Sequence, residues 1–356
     1  MSRAGVVSEM NRSVGLSIAS ARDSLAEAVT ARHYQAHPEL LSKYGEAGRA
    51  KCRQDAQYHL SYLADALVAS SPSLFSDYLA WAKVMLGARG VPAADLSRNL
   101  SVMREVVREH VTPEAWPVVQ QFFDEGLQRL PAMPEELPTL LADAAPHADL
   151  ARRFLRLLLG GERHAAGRLI HEAVDSGVAL KDVYLHVFQA SQREIGRLWQ
   201  MNQLSVAQEH YCTAATQLVM SQLYPRLFRT EKQGRRVVAT SVAGELHEIG
   251  ARIITDFFEM EGWDTYYLGA NCPTADILKT LSERKPDLLA VSATMTFHVR
   301  AVEELVGRVR ASEEFRGVKI MVGGYPFNVE PDLWKRVGAD AYAADAAEAA
   351  ARAGSL

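Results

Sequence analysis

The stretch Val237-Val-Ala-Thr-Ser-Val-Ala-Gly-Glu245-Leu-His247-Glu-Ile-Gly250 decides the fold. It opens as a short apolar run rich in β-branched residues and ends in a loop that carries an acid, a histidine and a glycine. Comparable short runs recur downstream at Thr265-Tyr-Tyr-Leu268, Leu288-Leu-Ala-Val-Ser292, Lys319-Ile-Met-Val322 and Ala341-Tyr-Ala343. Helical patterns separate them, and this alternation predicts a doubly wound, flavodoxin-like sheet of five parallel strands. Ligands of such sheets sit at the carboxyl ends of the strands, which is where the Glu245–His247 loop falls. A histidine that holds a metal needs its second ring nitrogen fixed by an acceptor, and Glu245, two residues away, can supply one. Gly250 lets the backbone turn into the next helix beside a bulky ligand.

Upstream the period changes. Between residues 150 and 228 four helical stretches are broken at Gly160-Gly161, at Ser176-Gly177 and near Met201-Asn202, which predicts a four-helix bundle. From residue 14 to 130 apolar residues recur at three- and four-residue spacing, as in Tyr58, Tyr62, Ala66 and Tyr78, Trp81, Met85, so this part reads as all helical. Its breaks fall at Ser70-Ser71-Pro72, at Gly87 to Pro92 with Asp95 able to cap the next helix, and at Thr112-Pro113. Residues 130–146, with four prolines, read as a linker. The expected organisation is an all-α front domain (1–145), a four-helix cap (146–231) and the α/β domain (232–356).

The 356 residues, 48% hydrophobic and 23% charged, are ordinary for a globular chain. A net charge of -4 with no basic run argues against nucleic acid as a partner. No apolar segment suits a signal peptide or a membrane span, so a cytoplasmic location is expected. Cys52, Cys212 and Cys272 are too widely spaced for a zinc motif and read as free thiols.

The strand followed by Glu-x-His-x-x-Gly, then Gly269, Ser292-Ala-Thr294 and Gly323-Gly324 after successive strands, resembles the cobalamin-binding domain of methionine synthase, corrinoid methyl carriers and mutases. The resemblance covers about residues 235–345. It implies that His247 is the axial cobalt ligand in place of the cofactor's own dimethylbenzimidazole, whose nucleotide tail would run into the sheet. Ser292 and Thr294 would then contact the buried base, and Gly323 and Gly324 would leave room for it. Two departures from the family pattern are Glu245 where Asp is usual and Ser292-Ala-Thr294 where Ser-x-Leu is usual. Taken alone, His247 reads more readily as a loop histidine at a helix N-terminus than as a ligand; the matches at successive strand ends reverse that preference. His298 has no acid placed beside it and reads as a surface residue.

Trp199, nine residues and then Glu209-His210 resemble the Trp-x9-Glu-His pattern of light-sensing cobalamin proteins. The resemblance implies that Trp199 and Glu209 surround an adenosyl group: an indole packs on a purine, and a carboxylate accepts hydrogen bonds from ribose hydroxyls. Without the downstream domain, Trp199 would read as a core residue and Glu209 and His210 as a solvated first turn. Those proteins carry a histidine where Gln200 stands here, which leaves His210, another histidine or water as the upper ligand after illumination.

In front, Tyr44-Gly45, Gly48-Arg49, Cys52, Asp55, Tyr58-His59-Leu-Ser-Tyr62 and Asp77-Tyr78-Leu-Ala-Trp81-Ala-Lys83 resemble the front domain of photocobilins, which pair cobalamin with biliverdin. At helical spacing Cys52, Asp55, His59 and Tyr62 share a face, and Tyr78, Trp81 and Lys83 lie on the next helix; rings, a carboxylate and cations suit a conjugated ligand with propionates. A plain helical dimerisation module and a globin-like haem pocket using His59 stay open. The expected function is a non-enzymatic light sensor binding adenosylcobalamin and biliverdin, a homo-oligomer whose subunit contacts change in light, with any effector a separate protein. The rivals are a corrinoid methyl carrier serving methyltransferases and a cobalamin or redox sensor without photochemistry.

Overall fold

A computed structural model describes residues 3–228 and 230–356, with side chains from Glu9 onward. The chain divides into two compact units: Met1–Glu135 with Met295–Arg300, and Glu136–Thr294 with Ala301–Leu356.

The front unit is helical: α1 (Arg3–Ser20), α2 (Arg22–Ala36), α3 (Glu39–Val68), α4 (Pro72–Gly87), α5 (Ala93–His110) and α6 (Trp116–Arg129). The punctuation read from the sequence falls between helices. Ser70 takes a positive φ of 51°, and Pro72 opens α4, where its missing N–H costs nothing. Inside α3, Gly45 adopts φ 65°, ψ -173° and kinks the helix. Asp95 does not cap α5. Pro92 holds the cap position, and the Asp95 carboxylate instead accepts hydrogen bonds from Tyr44 Oη (2.7 Å) and Lys43 Nζ (2.8 Å), tying the early part of α3 to α5.

The second unit begins with α7 (Ala148–Leu159) and α8 (Arg163–Asp175). Next come the single turn α9 (Leu180–Asp182) and a π-helical stretch, Val183–Gln189, that runs on into α10 (Ala190–Gln200). Then come α11 (Val206–Gln222) and the short α12 (Tyr224–Leu227). Ser205 caps α11 in a reciprocal capping box with Gln208. The parallel sheet is next: β1 (Arg236–Ser241), α13 (Ile249–Met260), β2 (Asp264–Tyr267), α14 (Thr274–Arg284), β3 (Leu288–Ser292), α15 (Val299–Ala311), β4 (Lys319–Gly323), α16 (Tyr325–Val329), α17 (Leu333–Arg336), β5 (Ala341–Ala343) and α18 (Ala346–Ala353).

Strand order is β2-β1-β3-β4-β5, all pairs parallel, with Ser241 opposite Ser292 and Ser292 opposite Gly323. This register brings the loops after β1, β3 and β4 to one edge, the topological switch point at which doubly wound sheets bind ligands. Every residue of β3 is buried, as expected of a strand covered on both faces, whereas edge strand β2 alternates. The bundle and the sheet share one apolar core: Phe154, Tyr184, Phe188 and Val219 pack together with Ile253 and Phe257 of α13. Each such buried side chain contributes roughly 1.5–3 kcal/mol, enough to hold α13 against the bundle.

Residues 130–146 do not form a loose linker along their whole length. Buried Glu194 accepts from Thr139 Oγ1 and from Leu140 N, both at 2.9 Å; Arg197 donates to Leu137 O at 2.9 Å; and Arg152 donates to Leu141 O and Asp143. The second half of the segment is strapped to the bundle by side chains far away in sequence.

Candidate functional site

The loop after β1 is built around one carboxylate. Glu245 is 0% exposed, and the donors that reach it include His247 Nδ1 at 2.5 Å and His247 N at 3.0 Å on Oε1, and Thr294 N at 2.6 Å on Oε2. Ser241 Oγ donates to His247 O at 3.3 Å, and Asn271 joins in through its N–H to Glu245 O and its Oδ1 from Gly244 N, both at 2.8 Å. The ends of β1 and β3 thus fix both the ring's tautomer and its direction. Glu245 raises His247 above the ordinary imidazole range through their hydrogen bond, against partial burial, with a smaller contribution from the Glu209 charge.

With Nδ1 committed to Glu245, Nε2 of His247 is the nitrogen left to bind a metal, and the side chain is 58% exposed. Leu246, next to His247 in the chain, is 73% exposed, an apolar side chain left uncovered by the protein. A Cβ on Gly250 would meet only Ser292 Oγ, at 3.8 Å, so nothing in the protein itself fills the space beside it. The donor set, the open nitrogen and the uncovered apolar surface fit a large flat metal-bearing group such as a corrin. Leu246 escapes sequence reasoning, because an apolar loop residue reads as core until its exposure is known.

The glycines divide by cause. Gly269 has φ 83° with open space around it. A Cβ on Gly323 would lie 2.9 Å from Ala343 O, and one on Gly324, at φ 103°, would lie 2.0 Å from Ala293 O. The backbone alone therefore requires glycine at 324. Ser292 is buried at the end of β3, while Thr294 is half-buried.

α11 reaches the loop, and α10 packs beside α11. Trp199 is half-buried in the last turn of α10, and Glu209 lies in the first turn of α11, its Oε1 accepting from Thr213 Oγ1 at 3.0 Å. Thr213 also donates to Gln192 Oε1, and Gln192 to Thr216 Oγ1. Gln217 Nε2 donates to Glu248 Oε1 at 2.7 Å, linking α11 to the residue after His247. His210 is exposed, its Nε2 3.4 Å from Glu209 Oε2.

In the front unit the predicted ring residues do come together. His59 Nδ1 lies 2.7 Å from Tyr78 Oη, Tyr62 and Tyr78 stack at 3.6 Å, and Trp81 stacks on Tyr78 at 6.2 Å. Burial depresses His59 to about 4 and raises Asp55 to about 6. Cys52 accepts from Asn99 Nδ2 at 3.4 Å, and burial pushes its thiol up to about 11, so it is not an activated nucleophile. Lys83 is not available to a propionate: it is buried, and Nζ donates to Leu130 O (3.1 Å) and Met133 O (2.7 Å). His298 is a correction as well. It is only 8% exposed, in the segment that groups with the front unit, where Phe297 packs edge-on against Tyr62 at 5.6 Å.

An acid-held histidine at the switch point of a five-stranded parallel sheet, under a helical cap, defines a corrinoid-binding protein. Residues 235–353 match the family model for a B12 binding domain, residues 150–224 match a second B12 binding domain model, and residues 9–130 match the model for a phycobilisome protein. Monomethylamine corrinoid protein 2 of Methanosarcina mazei is 30% identical over 211 residues, 57% of this chain and 95% of that protein. Monomethylamine corrinoid protein 1 of Methanosarcina acetivorans is 30% identical over 189 residues, 51% of this chain and 86% of its own length. The solved structure of the Methanosarcina barkeri monomethylamine corrinoid protein superposes with a TM-score of 0.52 at 25% identity, over 58% of this chain and 98% of that one. The chain belongs to this family of corrinoid proteins, and it carries a phycobilisome-type domain in front.

Proposed function

We propose that this protein is a light sensor that holds adenosylcobalamin on His247 and a biliverdin-type pigment in its front domain. One observation carries the reading: the 95% of the M. mazei relative that is matched uses only 57% of this chain, and residues 9–130 match a phycobilisome protein instead. When bound, a cobalamin with an upper alkyl group supplies a cobalt–carbon bond that light or a nucleophile can break. The chain's own residues have separate duties. Glu245 orients His247, which would hold the cobalt; Leu246 and Gly250 would leave room for the corrin, and Gly269, Ser292, Thr294, Gly323 and Gly324 would receive the nucleotide tail. Trp199 and Glu209 would hold the adenosyl group, and His210, which lies against Glu209, would be an alternative ligand. Gln217, bonded to Glu248, would pass a shift of the cap to the loop, and a change of contacts between copies of the chain would carry the signal to a separate effector.

A second reading, a methyl carrier serving a partner methyltransferase, is the one the relatives' names favour more directly, and it accounts for the second unit alone. The two separate on the purified protein co-expressed with a biliverdin source. A light sensor retains adenosylcobalamin, absorbs in the red and changes its cobalt spectrum and oligomeric state on illumination. Trp199→Ala or Glu209→Ala then reduces its preference for adenosyl- over methylcobalamin by about 1–3 kcal/mol. A carrier retains a methylated or unalkylated cobalamin, takes up no pigment and keeps its oligomeric state in light.

A further inference from the structure

The strapped segment borders a partly open cavity in the second unit. Between residues 140–148 and the π-helical stretch lies a cavity of about 310 Å³, and none of its lining residues belongs to the His247 loop. One wall is apolar, from Leu140 and Leu185; the polar part is His186, Gln189, Arg193 and Asp345. A π-helical turn is wider than an α-helical one and is frequent at functional sites. Here it places Leu185, His186 and Gln189 on the side from which Arg193 also reaches the cavity.

The two charged residues identify the ligand's chemistry. Arg193 makes no hydrogen bond or ion pair among the described residues, although Arg152 and Arg197, which hold the strap, are both engaged. Asp345 gives one carboxylate oxygen to the N–H of Glu348 at 2.9 Å, which caps α18, and it forms no ion pair among the described residues. Solvent reaches both charges, but opposite charges that border one small cavity without pairing with each other suit a ligand that carries both complements. A simple anion would satisfy Arg193 but face Asp345, and a simple cation the reverse. The volume lies at the lower end for small-molecule pockets and admits a body the size of a leucine side chain.

We propose that this cavity binds a small zwitterion, an α-amino acid with an apolar side chain, its carboxylate on Arg193, its ammonium toward Asp345 and its side chain against Leu140 and Leu185. Binding would brace the strap held by Glu194, Arg197 and Arg152, so the site suits an effector rather than a substrate of the cobalt centre. The inference stands whether the protein is a light sensor or a carrier.

Titration calorimetry on the full cobalamin-loaded chain tests it with three probes: L-leucine, 4-methylpentanoate, which lacks the ammonium, and leucinamide, which lacks the carboxylate. Leucine is expected to saturate one site, and each singly charged analogue to bind at least tenfold more weakly. Arg193→Gln, on an exposed side chain, and Asp345→Asn, which keeps a capping residue on α18, should each weaken leucine by a similar factor with unchanged circular dichroism. No leucine binding at millimolar concentration, an analogue that binds as tightly as leucine, or variants that bind leucine as the parent does would each overturn the proposal.

Discussion

The His247 loop and the front-unit ring cluster use similar residues to opposite ends. In the loop, a buried carboxylate takes one imidazole nitrogen and leaves the other facing outward beside an exposed leucine. In the ring cluster the imidazole is enclosed: His59 meets Tyr78 Oη, Tyr78 is stacked by Tyr62, and the cation expected to greet a pigment is spent on backbone carbonyls. The first holds an oriented imidazole with one nitrogen open. The second is a packed core as it stands, and a pigment seated among these rings must part the Tyr62–Tyr78 stack.

Four experiments would break or sharpen that contrast, taken from the largest expected effect downward. His247→Ala removes the only imidazole in the loop and should lower corrinoid affinity by about 100-fold or more, beyond the 10–100-fold typical of losing an outer partner. Retention of cobalamin after gel filtration, at parental stoichiometry and with the parental spectrum, would contradict the assignment. The enclosed histidine should instead report through pH. Its folded value, about 4, lies below the ordinary 6.5, so the unfolded chain binds the proton first. The His59 contribution is complete above pH 6.5 and is lost as pH falls toward 4, by about 2–3 kcal/mol. Denaturant unfolding of the parent and of His59→Gln at pH 7.5 and 4.5 isolates it, and an equal pH response in both proteins would show that His59 is not enclosed.

Tyr78→Phe leaves a buried imidazole nitrogen without its partner and should cost about 1–3 kcal/mol of stability while sparing cobalamin affinity. A parallel loss of affinity would mean that the two regions are not independent. Glu245→Gln is the gentlest change. An amide oxygen can still accept from the ring and from His247 N, but its NH2 then faces the N–H of Thr294, so a loss of about 10-fold in corrinoid affinity is expected. An unchanged affinity would reduce Glu245 to a structural residue.

Legibility in the sequence divides along the same line. β3 is legible to the residue because a five-residue apolar run between turn signals has one reading, and the Glu-x-His-x-x-Gly motif is legible because its spacing is local. Features set by distant partners are not. Asp95 has the spacing of a helix cap, yet Lys43 and Tyr44, some fifty residues earlier, claim it. The four prolines of residues 130–146 read as a linker because Glu194, Arg197 and Arg152 are invisible from within that segment. His298 reads as exposed because a short loop shows no partners in one dimension. The π-helical stretch Val183–Gln189 has no pattern of its own, since its register is fixed by packing rather than by propensity.

The central claim is that cobalt is held by His247. Electron paramagnetic resonance of the cobalt(II) form, prepared from protein labelled with 15N-histidine, reads the axial nitrogen directly. The account predicts a doublet splitting from one 15N nucleus, absent in His247→Ala. A triplet from the cofactor's own unlabelled dimethylbenzimidazole, identical in parent and variant, would contradict it.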